Sequence, residues 1–331
     1  MARQPDIIVV GAGPIGIACG IEASRRGITS LILEKGCLVN SIYHYPPQLV
    51  FFSSPQLLEL AHIPMIIAGT KPKRMEVLAY YRRLAEFFEL DVHAYEKVEE
   101  VQVEEDGMYT VRTSKGKAYK TRFVVLATGN YDHPNLIGVP GEDLPKVSHY
   151  YKESHPYYRQ KVAVVGGQNS AVEASLDLWR HGAEVTLIHR KPSLGEGVKY
   201  WLLPDIEARI REGSIRALFD TRVERIEGNH IVVHLADGKT EKIANDFVFI
   251  LTGYHPDLDF LKRTGVVLDL ETLTPLHDPA TMETNMPGIY IAGVAAGGRG
   301  SKLFIENTRY HAKLILQSIE RKLEGGEDSE A

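Results

Sequence analysis

Cysteine is nearly absent: Cys19 and Cys37 are the only two in 331 residues. They form neither a disulfide framework nor a C-x-x-C pair, which agrees with a reducing compartment. Positive charge is not in surplus either. A formal net charge of -5 gives no broad basic footprint, and no local patch replaces it, so nucleic acid and anionic membrane surfaces are not expected partners. The thirteen histidines include no close pair at helical ligand spacing and no Cys/His cluster, so no metal is expected. Long apolar runs are missing too. The opening residues lead straight into Ile7-Ile8-Val9-Val10 and then into glycines, too short a run for a signal core or a spanning helix. A cytoplasmic protein is therefore expected.

What is present is ordinary globular material, 44% hydrophobic and 24% charged, with length for about two domains. It is organised by repetition. The segments Ile7 to Lys35 and Lys161 to Lys191 share one pattern: an apolar run, a glycine turn, a small-residue helix and a second apolar run, which predicts two β-α-β units. The first continues into an amphipathic helix, Met75 to Leu90, then strands broken at Asp106-Gly107 and Ser114-Lys115-Gly116. It closes on Phe123-Val124-Val125-Leu126-Ala127-Thr128-Gly129. The second repeats that grammar with a helix around Leu203 to Glu212, strands broken at Gly228-Asn229 and Asp237-Gly238, and a closing strand ending Leu251-Thr252-Gly253. A last strand, Gly288 to Gly293, precedes a helical stretch, Ile305 to Leu323, and a tail, Gly325 to Glu330, that reads as frayed. The last strand has no counterpart in the second unit, so it is expected to return to the first, making the second an insertion. The expected fold is α/β: two Rossmann-like three-layer nucleotide-binding domains, bounded at 1–129, 130–252 and 253–331.

In Gly11-Ala12-Gly13-Pro14-Ile15-Gly16 the first glycine permits a tight turn. The second lets a pyrophosphate approach the backbone, and the third lets helix and strand pack closely. The helix start offers N–H groups and a positive dipole to phosphates. Glu34, at the end of the next strand, stands where a carboxylate accepts hydrogen bonds from an adenosine ribose. The second turn, Gly166-Gly167-Gln168-Asn169-Ser170-Ala171, lacks the third glycine but keeps a small residue there. Its next strand ends in His189-Arg190-Lys191. A carboxylate there would repel a 2′-phosphate, whereas a guanidinium can fork onto it, so NADPH is expected over NADH. Two dinucleotide sites in one short chain imply an electron relay, and a flavin is the natural second occupant.

The glycine turns, the strand ends Ala127-Thr128-Gly129 and Leu251-Thr252-Gly253, and the terminal Gly288-Ile289-Tyr290-Ile291-Ala292-Gly293 resemble the low-molecular-weight thioredoxin reductase superfamily over nearly the whole chain. Three stretches are similar to its bacillithiol-disulfide reductase branch: Glu34 to Pro46, Phe51-Phe52-Ser53-Ser54, and Lys199-Tyr200-Trp201-Leu202-Leu203-Pro204-Asp205. Val294, where thioredoxin reductases have Asp, also fits that branch. The resemblance implies FAD contacts through Gly11, Gly13, Pro14, Ile15, Gly16, Glu34, Lys35, Val98, Ala127, Thr128, Gly129, Gly293 and Val294. It implies NADPH contacts through Gly166, Gly167, Gln168, Asn169, Ser170, Ala171, His189, Arg190 and Lys191. A homo-oligomer is implied as well, with a small-molecule disulfide or a small redox protein as electron acceptor.

Two departures stand out. The Cys-x-x-Cys of thioredoxin reductases is absent, and the cysteine that bacillithiol reductases carry directly after the Gly-x-Gly-Pro turn is here Ile15. Cys19, one helical turn further on, reads as a buried inert thiol, and Cys37 falls toward the adenosine end. The catalytic residues are therefore unassigned beyond the flavin, with Tyr43, His44 and Tyr45 as candidates for the acceptor site. Three other readings share these motifs: a ferredoxin or flavodoxin NADP reductase, a flavin monooxygenase, and a non-enzymatic NADPH-sensing flavoprotein.

Overall fold

The computed structural model describes residues 4–298 and 301–327, with no account of the side chains of 326 and 327, so the expected frayed tail lies from residue 328 outside the described residues. The chain forms two compact units, one running to His133 and resuming at His255, the other spanning Pro134–Tyr254.

In the first unit, Ile7–Val10 and Phe123–Leu126 are buried along their whole length. Such runs suit a parallel sheet covered on both faces. The sheet order is Ile289–Ile291, Phe123–Leu126, Ile7–Val10, Ser30–Leu33, Val92–His93, all parallel. The crossover helix Pro14–Arg25 starts on Pro14, whose fixed φ suits the first helical position, and buries Ile15, Ile17, Ala18, Cys19 and Ile21. The helix Arg74–Phe87 is capped by Glu76, whose carboxylate accepts the Lys73 N–H at 2.8 Å. Three antiparallel strands, Val98–Val103, Tyr109–Thr113 and Ala118–Thr121, fill the stretch before the closing strand. The helical stretch expected from Ile305 to Leu323 is in fact two helices, Ile305–Thr308 and His311–Glu327. Arg309, at the break, donates to the carbonyls of Gln56 and Glu59 at 2.7 and 3.1 Å, a tertiary anchor with no helical periodicity to announce it.

The second unit repeats the sheet with the order Arg216–Leu218, Glu184–Ile188, Lys161–Val165, Phe247–Ile250, Val147–Ser148, again parallel. Asn169–Arg180 is its crossover helix, Leu203–Arg211 its second helix, and Arg222–Ile226, His230–His234 and Thr240–Ala244 its antiparallel strands. The expectation that the last strand of the first unit has no counterpart here needs correcting. Val147–Ser148 takes the equivalent edge position, and two residues carry no readable period. The crossings fall a few residues beyond the Thr-Gly turns because the connecting segments still pair: His255 N–H donates to His133 O at 2.9 Å within the first unit, and Asn135 N–H to Gly253 O at 2.9 Å within the second.

Candidate functional site

In the first unit the strand ends gather at the carboxyl edge of the parallel sheet, where ligands bind in this class of fold. Its glycine turn separates by cause. A Cβ on Gly11 would stand 2.5 Å from Ala127 O, and one on Gly16 1.9 Å from Gly11 O, both backbone atoms that cannot yield. A Cβ on Gly13 would meet nothing within 4 Å. Protein packing thus demands Gly11 and Gly16, while the space before Gly13 is open for a ligand. Pro14 and Ile15 open the helix, and Ile15 is buried against Gly293, whose φ is +71° and whose Cβ would lie 3.1 Å from Ile15 Cγ1.

Glu34 is buried at 5% exposure, and both carboxylate oxygens are engaged: Oε2 accepts from Ala12 N–H and Oε1 from Gly36 N–H, each at 2.8 Å. Burial pushes this carboxyl up, against the pull of the two backbone donors and Lys35. Glu34 therefore braces the glycine turn, and each oxygen keeps a lone pair for a ribose hydroxyl. Lys35 reaches Asp132 at 2.8 Å. Val98 is buried at the head of its strand, Ala127 is buried, and Gly129 has φ +72°. Thr128 Oγ1 is buried with no hydrogen-bond partner among the described residues, a vacancy suited to a polar ligand atom. Gly293 N–H donates to His311 Nδ1 at 3.3 Å, and Val294 follows in a short 3-10 turn. Open space at Gly13, an unpartnered buried hydroxyl and a buried carboxylate together fit a dinucleotide such as FAD.

The three acceptor-site candidates do not act as one set. Tyr43 and His44 are exposed, whereas Tyr45 is half-buried edge-on to Tyr131, with ring centres 4.8 Å apart. Burial pushes the Tyr45 phenol up to about 12, so it stays protonated and can donate. The Arg74 guanidinium lies 5.3 Å from the Tyr43 ring centre and donates to the Tyr43 carbonyl, fixing the end of the short helix Asn40–Tyr43. Neither thiol has the setting of a reactive thiolate. Cys19 is fully buried and pushed up to about 12, and Cys37, half-buried with its Sγ 3.6 Å from Asn40 Oδ1, is also raised by burial.

In the second unit, Gly166 has φ +152°, and a Cβ there would stand 2.6 Å from Leu251 O. His189 directly follows its strand, as Glu34 does in the first unit. Its ring lies against Gly167, where a Cβ would come within 2.4 Å of three ring atoms. His189 is 9% exposed and its Nε2 has no partner among the described residues. Burial first, then Arg190 and Lys191, hold the imidazole below its ordinary value, so it is neutral at pH 7. Arg190 and Lys191 are exposed. Gln168 precedes the helix, Asn169 and Ser170 open it, and Ala171 is buried where the first unit has Gly16. Thr252, unlike Thr128, has its hydroxyl taken, donating to Asn135 O at 2.6 Å. Asp132, Tyr131, Arg74 and His311 were not legible as parts of these sites, since each meets its partner, Lys35, Tyr45, Tyr43 or Gly293, from well away in the chain.

A family model described as pyridine nucleotide-disulphide oxidoreductase matches residues 8–293. The bacilliredoxin reductase Bdr of Bacillus subtilis is 44% identical over 96% of this chain and 98% of its own. The solved bacillithiol disulfide reductase Bdr of Bacillus cereus superposes with a TM-score of 0.94 at 42% identity, over 97% of this chain and all of that one. The Staphylococcus aureus enzyme of the same name gives 0.93 at 39% identity, over 97% and 99%. Among the described residues no helix is long and apolar enough to cross a membrane. This chain belongs to the pyridine nucleotide-disulphide oxidoreductase family and is an NADPH-dependent flavoprotein oxidoreductase that uses FAD.

Proposed function

We propose that this chain is a cytoplasmic disulfide reductase of the bacillithiol type that works without a thiol of its own. The first unit would hold FAD at Gly11–Gly16, Glu34 and the strand ends Ala127–Gly129 and Gly293–Val294. The second would hold NADPH at Gly166–Ala171 and His189–Lys191. When bound, FAD would supply two-electron redox chemistry between NADPH and the acceptor. The balance for a disulfide is NADPH, a proton and RSSR giving NADP+ and two RSH. The residues of the chain bind and orient: Glu34 would take the ribose, Thr128 Oγ1 offers a free polar group, and Ile15 closes the turn against Gly293.

The observation that carries the reading is Ile15. It occupies the position of the branch's cysteine, is buried, and no other thiol replaces it, since Cys19 is inside the core and Cys37 stands three residues past Glu34. Exchange through a protein thiolate would require a group this site does not contain. The same observation favours a second reading, a reductase of a one-electron carrier such as ferredoxin or flavodoxin. Stopped-flow reoxidation of NADPH-reduced protein against bacillithiol disulfide, ferredoxin, flavodoxin, quinone and oxygen separates them. Fast turnover with the disulfide supports the proposal. Fast turnover with a carrier alone transfers the site to the second reading, and a flavin that NADPH does not bleach refutes both.

A further inference from the structure

The loop that leads into Lys199-Tyr200-Trp201 is fastened to the second glycine turn. Gly195 N–H donates to Gly167 O at 2.9 Å. Asn169, at the start of the crossover helix, accepts from Lys199 N–H at 3.0 Å and donates to Gly197 O at 2.9 Å. The Gln168 side chain lies so close that a Cβ on Gly195 would stand 1.9 Å from its Nε2, and one on Gly197 3.0 Å from its Oε1. Both loop glycines are thus set by the turn they adjoin.

That anchoring delivers a cation. Lys199 Nζ lies 3.7 Å from Glu173 Oε1, one turn into Asn169–Arg180, and 5.5 Å from the centre of the Trp201 ring. At 3.7 Å the ion pair is longer than a charge-assisted hydrogen bond, and burial pushes the Glu173 carboxyl up against the pull of Lys199. At the same turn the buried His189 Nε2 has no partner among the described residues, its ring over Gly167, so it is open to a polar group from outside the protein. We propose that Gly195–Trp201 is a strap of the NADPH site and that Lys199 leaves Glu173 to bind the diphosphate of the dinucleotide. An ammonium suits this, as a point charge that needs no planar fork geometry. The proposal rests on the second glycine turn binding NADPH.

The competing account is that Lys199 only neutralises Glu173. Calorimetric titration of the FAD-loaded enzyme with NADP+ decides between them. Lys199→Gln should weaken NADP+ about tenfold or more, Lys199→Arg should recover most of the loss, and Lys199→Gln with Glu173→Gln should stay weak. Recovery of wild-type affinity in that double variant overturns the proposal, as does an unchanged Lys199→Gln. In Trp179→Phe, which leaves Trp201 as the sole tryptophan of two, NADP+ should change the emission, and a constant emission removes the strap from the site. Wild-type protein that binds neither NADP+ nor NAD+ would instead refute the reading of the turn, and the strap with it.

Discussion

Glu34 and His189 stand at the same point of the two units, directly after the strand that follows each crossover helix, and they treat the neighbouring turn in opposite ways. Glu34 accepts a hydrogen bond from the middle residue of its turn, Ala12. His189 packs its ring onto the corresponding residue, which must then be Gly167. The third turn position differs as well: Gly16 has backbone 1.9 Å from where a Cβ would be, while Ala171 carries a Cβ inside a buried helix face. One glycine pattern thus has two physical solutions, a turn braced by a carboxylate and a turn covered by an imidazole. The acid suits a ribose, and its absence beside Arg190 suits a 2′-phosphate.

The sharpest way to break this comparison is to exchange the third residues. Gly16→Ala drives a Cβ into the Gly11 carbonyl and should abolish both flavin binding and the first unit's folding, seen as colourless, aggregation-prone protein. The reciprocal Ala171→Gly should cost only about 1 kcal/mol of thermal stability. A yellow Gly16→Ala protein with unchanged melting would end the argument. Next in size, Glu34→Ala should weaken FAD by about 1.5–3 kcal/mol, read as cofactor loss on dilution, because it removes the ribose acceptor and unpairs two backbone donors. Arg190→Ala should follow, costing about 1–3 kcal/mol with NADPH while sparing NADH in the ratio of kcat/KM values. Equal losses with both coenzymes would show that the second unit does not read the 2′-phosphate.

Smaller effects test what surrounds the turns. Burial, aided by His277, holds His311 down to about 4, and its Nδ1 accepts the Gly293 N–H. The unfolded chain then binds the extra proton between pH 6.5 and 4, so stability should fall on acidification through that window, by on the order of 2 kcal/mol. His311→Asn, which keeps an acceptor without the titration, should flatten the acid limb of a melting-temperature profile. The smallest change is expected from Cys19→Ala with Cys37→Ser, which should leave NADPH oxidation with the true acceptor nearly unaltered. Loss of that activity with flavin reduction intact would return the protein to thiol-dependent reductases.

The sheets and turns were legible in the sequence because their signals are local: apolar runs buried on both faces, glycines at fixed offsets, a proline at a helix start. The family was legible for the same reason. What escaped depends on partners far along the chain. Val147–Ser148 is a strand only because Phe247–Ile250 lies beside it. The break at Arg309 follows from carbonyls some 250 residues earlier. Tyr43, His44 and Tyr45 look alike in sequence, and packing against Tyr131 and Phe51 tells the inward tyrosine from its outward neighbours.

The fifth strand of each sheet is made at a different moment of synthesis. All five strands of the inserted unit lie within Pro134–Tyr254, so that unit can close as soon as it has left the ribosome. The first unit has to wait for Ile289–Ile291, and until then Phe123–Leu126, four apolar residues in a row, is a bare sheet edge. A chain halted before Gly288 would carry a finished second unit and a first unit whose open edge can recruit another nascent chain.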